Sequence, residues 1–300
     1  MTKPDLTTLS TEARNPNTTE LDAMSTLALV QAMNLEDHSV AAAVHTELPR
    51  IAAAIDRIAE HMRKGGRLFY CGAGTSGRLG VLDAVECPPT FSAEPEQVLG
   101  IIAGGPGAFL KAVEGAEDDA ELGAADLRAR ELGSKDVVVG IAASGRTPYV
   151  LGALHYAHSV HALTVAVVCS RGGPVAAAAE LPIEVVTGPE VLTGSTRLKA
   201  GTATKMVLNM LSTGAFVRLH KVYGNLMVDV QPTNAKLRVR SVRIVAEAAQ
   251  CDVATAERLL EECLGEVKTA IVVHRKGVDP AAARTLLFHR EGSVRAVLES

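Results

Sequence analysis

Two loops rich in glycine and hydroxyl side chains carry the clearest chemical signal in the sequence. The first reads CGAGTSGR and the second ASGRTP, and each follows a short apolar run and precedes a helix-like segment. At such a turn the unpaired N–H groups and the dipole of the helix N-terminus attract an anion, to which hydroxyl groups add hydrogen bonds. The sequence therefore predicts phosphate binding by six residues: Gly74, Thr75, Ser76, Ser144, Gly145 and Thr147.

Three alternatives compete with a phosphate site. Gly72 to Gly77 match the dinucleotide spacing G-x-G-x-x-G, but that fingerprint requires an acidic residue at the end of the second strand, where VLGII is followed by Ala-Gly-Gly. The first loop also fits a turn without a ligand, and helix capping alone would explain Thr147 before Pro148. Two such loops at one sheet edge favour a shared phosphoryl group.

Two glutamates are candidates for acid–base chemistry. Glu86 precedes Cys-Pro-Pro at 87–89, which predicts a helix that ends there and a side chain free to face a cleft. Glu117 lies in the acidic run EGAEDD at 114–119. A run of this kind also suits the first turn of a helix or a solvated surface, so a purely structural role is the alternative for Glu117.

The elements that must position these residues indicate an α/β fold. Five apolar runs alternate with helix-like segments, as in a parallel sheet that is covered on both faces: 67–71, 98–102, 136–141, 163–169 and 183–186. Helices are predicted before the sheet, with a kink or a break at Pro49, and a long helix follows the sheet from Ser195 to His220. Five short helical segments then form a small C-terminal lobe: 234–249, 252–264, 266–274, 279–288 and 292–299.

The composition restricts the classes of protein. Thirty basic and 34 acidic residues among 300 give a net charge of −4, which disfavours general nucleic-acid binding. Hydrophobic residues are 47% but aromatic residues only 3%, so the core is expected to consist of small aliphatic side chains. Five cysteines without C-x-x-C spacing favour neither a disulfide framework nor a metal site. Without a signal-peptide or membrane-spanning pattern, a soluble cytoplasmic protein is expected.

Longer blocks of sequence carry a family resemblance. From about Thr11 to its end the chain resembles the N-acetylmuramic acid 6-phosphate etherase family, whose members contain a sugar-isomerase (SIS) domain. The blocks that carry it are TEARNPNT, CGAGTSGRLGVLDAVECPPTF, AVEGAEDD, GIAASGRTPYV, TGSTRLKAGTATKMVLNMLSTG and KVYGNLMVDVQPTN. The resemblance implies an N-terminal arm and helices over residues 1–57, a phosphosugar-binding SIS domain over 58–221 and a small helical domain over 234–300.

The same resemblance implies an activity. Family members cleave the lactyl ether at carbon 3 of N-acetylmuramic acid 6-phosphate by elimination and hydration, which gives N-acetylglucosamine 6-phosphate and D-lactate without a cofactor or metal. The family's glutamates map onto Glu86, the proton donor to the departing lactate oxygen, and Glu117, its acid/base partner. A homodimer is implied as well.

Two other functions stay open at this stage. An aldose–ketose phosphosugar isomerase would also begin by removing the proton on carbon 2, and only the need for a leaving-group acid separates it from the etherase. A non-catalytic phosphosugar-sensing regulator would bind the sugar phosphate without turnover. The acidic residues between 18 and 64 disfavour a DNA-binding version of such a sensor.

Overall fold

The computed structural model of the chain describes residues 10–230 and 235–300. The strands are β1 (Leu68–Gly72), β2 (Val98–Ile102), β3 (Val137–Ala142), β4 (Leu163–Val168), β5 (Leu181–Glu184), β6 (Val222–Tyr223) and β7 (Leu226–Met227). The helices are α1 (Thr26–His45), α2 (Leu48–Arg63), α3 (Gly74–Phe91), α4 (Ala120–Arg128), α5 (Pro148–Ser159), α6 (Pro174–Ala177), α7 (Lys199–Arg218), α8 (Ala235–Ala249), α9 (Val253–Glu262), α10 (Val267–Lys276), α11 (Pro280–His289) and α12 (Val294–Leu298).

Strands β1 to β5 form one parallel sheet in the order β2-β1-β3-β4-β5. All five predicted strands are present, and the expectation of an α/β fold is confirmed. Every residue of β1, β3 and β4 is buried, because helices cover both faces of the sheet. The strand order reverses between β1 and β3, which makes the carboxyl ends of these two strands the switch point of the sheet.

Small residues let the helices lie close to the sheet, as the composition predicts. A Cβ atom built on Gly80 of α3 would lie 2.8 Å from Cβ of Tyr70 in β1, and one on Gly100 of β2 would lie 2.4 Å from the Cα atom of Val81. These approaches exclude a larger side chain at either glycine. The core on the opposite face, against α4 and α5, includes Phe69, Cys71, Leu127, Val138, Tyr149, Leu154 and Val168.

The break predicted at Pro49 is confirmed. Helix α1 ends at His45, α2 begins at Leu48, and Pro49 lies in the first turn of α2, where its missing N–H costs no helical hydrogen bond. Helix α2 then buries one face, including Ile51 and Ile58.

The predicted end of α3 at Glu86 is wrong. The helix continues through Pro88 and Pro89 to Phe91, so Glu86 lies inside a helix rather than in an irregular segment. The fixed φ of proline is helical, but each proline removes a backbone hydrogen bond and crowds the carbonyl four residues earlier, so the last turn needs tertiary contacts to form. The ring of Phe91 stacks on that of Phe216 with 4.5 Å between centroids, and this burial holds the last turn in place.

The C-terminal helices match their predicted segments closely, apart from residue 234, which lies outside the described residues. Asp252 caps α9 by accepting a hydrogen bond from the N–H of Thr255 at 2.7 Å, and Asp279 caps α11 through the N–H of Ala282 at 2.9 Å. The antiparallel pair β6–β7 was not predicted. Its two-residue turn is Gly-Asn at 224–225, and Gly224 has a φ of +60°.

The chain divides into two compact units. The first contains the residues up to Val85 together with Glu96–Ser212, and the second contains Glu86–Pro95 together with the chain from Thr213 onward. The domain limits drawn at residues 57 and 221 stay predictions. Within the described ranges, none of the helices has the length and apolar character that crossing a bilayer requires.

One buried carboxylate joins β1 to the chain before β3. Asp136 accepts hydrogen bonds from the backbone N–H of Arg67 at 2.8 Å, from Nη2 of Arg67 at 2.7 Å and from the N–H of Gly133 at 2.9 Å. Burial alone would raise the pKa of Asp136, but these hydrogen bonds outweigh it and lower the pKa below its usual value.

Replacing Asp136 by Asn should lower the free energy of unfolding by about 3 kcal/mol at pH 7, because the charge of Arg67 loses its partner. Because the pKa of Asp136 is lower in the folded state, its ionised carboxylate stabilises the protein at pH values above the unfolded-state pKa of about 3.9. This stabilisation is lost as the pH falls through the folded-state pKa. Urea unfolding at pH 7 and pH 3 should therefore show a smaller gap between wild type and variant at pH 3. The exposed Asp22→Asn variant is the control, and an equal gap at both pH values would contradict this account.

Candidate active site

The two glycine-rich loops lie at the same edge of the sheet. Strands β1 and β3 are neighbours, with Gly72 paired to Ile141, so the loops that follow them start side by side at the switch point. Helix α3 begins at Gly74 in the first loop, and α5 begins at Pro148 after the second. The structure therefore confirms the shared edge on which the phosphate hypothesis depends.

Neighbouring groups fix the shape of the second loop. Gly145 has a φ of +69°, a conformation that favours glycine, and a Cβ atom there would lie 2.9 Å from Oγ of Ser170. The same Oγ donates a hydrogen bond of 2.7 Å to the carbonyl of Ser144. Thr147 is the N-cap residue of α5, yet within the described residues its side chain forms no capping hydrogen bond. Capping therefore does not account for the Thr147 hydroxyl.

A third segment borders the first loop, and it contains none of the six residues predicted to bind the phosphate. A Cβ atom on Gly201 of α7 would lie 3.7 Å from Cγ2 of Thr75, which places the TGSTRLKAG segment beside that loop. The carboxylate of Glu190 accepts hydrogen bonds from the N–H groups of Lys199 and Ala200 at 2.9 and 3.0 Å. In the sequence, the adjacent hydroxyl residues Ser195 and Thr196 before the long helix α7 are the feature that indicates this third segment.

A cavity of about 290 Å³ joins the first loop to the acidic segment. Gly74, Arg78 and Glu117 are among the residues that line it. Arg78 donates a hydrogen bond of 2.8 Å to the carbonyl of Phe109 and another of 2.8 Å to that of Ala108, and so holds the wall at 106–109. The cavity thus places a carboxylate and a guanidinium group next to the N-terminus of α3.

Glu117 does not belong to the first turn of an α-helix. It lies in the 3₁₀ turn Ala116–Asp118, and Asp119 caps α4 by accepting a hydrogen bond from the N–H of Leu122 at 3.0 Å. The side chain of Glu117 is exposed to the cavity and to solvent. The capping alternative therefore applies to Asp119 and not to Glu117.

Glu86 does not line this cavity. It is exposed and follows Gly74 by twelve residues on α3. At about 1.5 Å of rise per residue, the two residues are about 18 Å apart along the helix axis. Leu82, one turn before Glu86 on α3, is 47% exposed, and Val85, one turn after Leu82, is 58% exposed. Two exposed apolar side chains therefore lie near the exposed Glu86 on α3.

The sheet order β2-β1-β3-β4-β5 is shared with other doubly wound folds, and the matches to family models identify the chain as a SIS-domain protein. Two family models match the chain: "Glucokinase regulatory protein N-terminal SIS domain" over residues 50–158 and "SIS domain" over residues 121–214. A phosphoheptose isomerase structure from Francisella tularensis is similar with a TM-score of 0.54 and 17% identity, covering 65% of this chain and 100% of that one. At this level of identity the likeness supports the fold alone.

Within that class, the chain belongs to the N-acetylmuramic acid 6-phosphate etherase family. Proteins of that name are 54% identical in Klebsiella aerogenes, over 99% of both chains, and 57% identical in Streptomyces coelicolor, over 99% of this chain and 95% of the relative. The relative from Photorhabdus laumondii is 53% identical over 99% of both chains. The resemblance inferred from the sequence blocks is confirmed.

Proposed function

We propose that this chain cleaves the D-lactyl ether of N-acetylmuramic acid 6-phosphate by elimination and hydration, giving N-acetylglucosamine 6-phosphate and D-lactate. The observation that carries the proposal is the identity of 53 to 57% with etherases over nearly the whole chain. The isomerase and sensor hypotheses have weaker support than the etherase. The likeness to an isomerase, for example, rests on a structure that is only 17% identical in sequence.

The chemistry requires a phosphate anchor and two proton transfers. In the open-chain sugar the proton on carbon 2 is acidic because it lies next to the aldehyde. The ether oxygen on carbon 3 leaves more easily when an acid protonates it, and water must then add to the double bond. Each positioned acid or base contributes about 10²- to 10⁴-fold to the rate.

The two loops are proposed to hold the 6-phosphate at the N-termini of α3 and α5. The exposed backbone N–H groups and the hydroxyls of Thr75, Ser76, Ser144 and Thr147 supply the hydrogen bonds, since an anion is favoured at such a position. Glu117 is proposed as the acid/base that serves the water, because its side chain lines the cavity that starts at Gly74.

Glu86 is proposed to act in the site of a second copy of the chain, within a homodimer. Only five covalent bonds of about 1.5 Å separate the phosphorus from carbon 3, a span of at most about 7 Å. A sugar whose phosphate lies at Gly74 would therefore not bring its ether oxygen to Glu86 of the same helix, about 18 Å away.

The surface around Glu86 supports this arrangement. Leu82 and Val85 are large apolar side chains, exposed on α3 within one turn before Glu86. Burying such a patch against a second copy would remove it from water and would bring the carboxyl group into a neighbouring site.

Isotope labelling tests the reaction. The protein is incubated with N-acetylmuramic acid 6-phosphate in ¹⁸O-labelled water, and lactate and sugar are analysed by mass spectrometry. Elimination and hydration place the label on the carbon 3 oxygen of the sugar, which is read from a fragment without the exchangeable carbon 1 oxygen, and leave the lactate oxygen of the cleaved bond unlabelled. Release of lactate without label at carbon 3 would contradict the proposed route, and the absence of lactate would contradict the activity.

Removal of one hydroxyl tests the phosphate site. Thr147→Val keeps the shape of the side chain but removes its hydrogen bond to a charged group, so KM should rise about 10- to 100-fold with a smaller change in kcat. Thr26→Val, at the exposed start of α1, is the matched control. A KM equal to that of the wild type would exclude Thr147 from the site.

A cytoplasmic location belongs to the same proposal. None of the five cysteines, all within the described residues, forms a disulfide bond, and four of them are buried: Cys71, Cys87, Cys169 and Cys263. Free thiols are usual in a reducing compartment. Cell fractionation with activity assays tests the location, and activity confined to an extracytoplasmic fraction would contradict it.

A further inference from the structure

Helices α4 and α5 cross each other at two glycines with no room between their backbones. A Cβ atom on Gly152 would lie 1.8 Å from the carbonyl oxygen of Ala120, and one on Gly123 would lie 2.0 Å from the carbonyl oxygen of Tyr149. Oη of Tyr149 donates a hydrogen bond of 2.6 Å to Oδ2 of Asp126 and links the same two helices. The spacing between α4 and α5 therefore depends on the absence of two side chains.

The α4–α5 crossing is close in the chain to the segment of Glu117 and to the second phosphate loop. Ala120 is the first residue of α4 and follows Glu117 by three positions. Gly152 is on the first turns of α5 and follows Thr147 by five positions. The crossing is thus only a few residues along the chain from the proposed acid/base on one side and from the second phosphate loop on the other.

The two helices are not equally free to move. Helix α5 packs on β1, β3 and β4 as well as on α4, and its Val150, Ala153 and Leu154 are fully buried. Among the described elements, α4 packs chiefly on α5. The turn Ala116–Asp118 packs on α5 as well. Extra volume at the crossing would consequently push α4 away from α5 and shift Glu117, whose turn adjoins both helices, while the second loop keeps its place.

We propose that Gly152 and Gly123 are positioning residues that set the distance of Glu117 from a substrate held by the second loop. The inference rests on the proposed role of Glu117. An alanine at either position requires the backbones to separate by more than about 1 Å, and a misplacement of that size costs about 100-fold in rate when the displaced group takes part in the chemistry.

The test is Gly152→Ala, with kcat and substrate binding measured separately. The value of kcat should fall about 100-fold. The Kd for the product N-acetylglucosamine 6-phosphate should change less than about twofold, because the phosphate loops stay in place. Gly133→Ala is the control, since a Cβ atom there meets nothing within 4 Å, and its kcat should equal that of the wild type.

A double-variant cycle separates positioning from general damage. If Gly152 acts through Glu117, adding Gly152→Ala to Glu117→Gln should cost little more than Glu117→Gln alone. Two losses that multiply would overturn the proposal, as would a wild-type kcat in Gly152→Ala while Glu117→Gln is impaired. Wild-type turnover by Glu117→Gln would instead refute the proposed catalytic role.

A second variant covers the case in which Gly152→Ala does not fold. Tyr149→Phe removes the hydrogen bond to Asp126 without adding volume, and loosening α4 should lower kcat about tenfold with an unchanged product Kd. If Tyr149→Phe is folded and has the kcat of the wild type, the link between helix spacing and Glu117 is refuted.

Discussion

Replacing Glu86 by Gln should lower kcat for lactate release by about 10²- to 10⁴-fold, the usual contribution of a positioned general acid. Glutamine has the same shape but has no proton to give to the departing lactate oxygen. The phosphate loops are unchanged, so KM should vary little. A 3-O-aryl analogue, whose phenolate leaves without protonation, should be cleaved by the variant at a rate close to that of the wild type.

The control for this experiment is Glu94→Gln, at another exposed glutamate shortly after α3. It removes one negative charge from the same part of the surface and should leave kcat unchanged. Equal lactate release by Glu86→Gln and the wild type would remove Glu86 from the mechanism. Equal losses on the natural substrate and on the aryl ether would show that the residue does not act as the leaving-group acid.

The sheet could be predicted from the sequence because its physical cause is local. Strands that are buried on both faces read as continuous apolar runs, and β3 and β4 are buried at every residue. Helix boundaries were predictable where a particular residue starts the helix, as Pro49 does in the first turn of α2 and as Asp252 and Asp279 do by capping α9 and α11. The two hydroxyl loops followed from the same reasoning, because they end neighbouring parallel strands.

The errors arise where tertiary contacts override a local rule. Pro88 and Pro89 predict a helix end, but the stacking of Phe91 on Phe216 extends α3 past them. The proximity of Thr75 to Gly201 joins segments that are more than a hundred residues apart, and no periodicity reports such a contact. The α4–α5 crossing likewise could not be predicted from the sequence, because a glycine within a helical segment indicates neither which helix packs against it nor how closely the two backbones approach.

The separation of Glu86 from the first loop leads to a prediction about the assembly. Glu86→Gln and Glu117→Gln should each be nearly inactive as homodimers. A mixed dimer should have one complete site, in which the first loop and Glu117 of one copy meet Glu86 of the other. Its second site lacks both carboxylates, so the activity per mixed dimer should be about half that of the wild type.

Co-expression of the two variants with different affinity tags, followed by two successive affinity steps, isolates the mixed dimer. The matched control combines Glu86→Gln with Glu94→Gln, and its activity should also be about half that of the wild type, because one site keeps both carboxylates. If Glu86 instead serves the loop of its own chain, each site of the Glu86→Gln and Glu117→Gln pair lacks one glutamate. The mixed dimer would then be as inactive as its parents, and the shared site would be refuted while the activity of the wild-type chain stands.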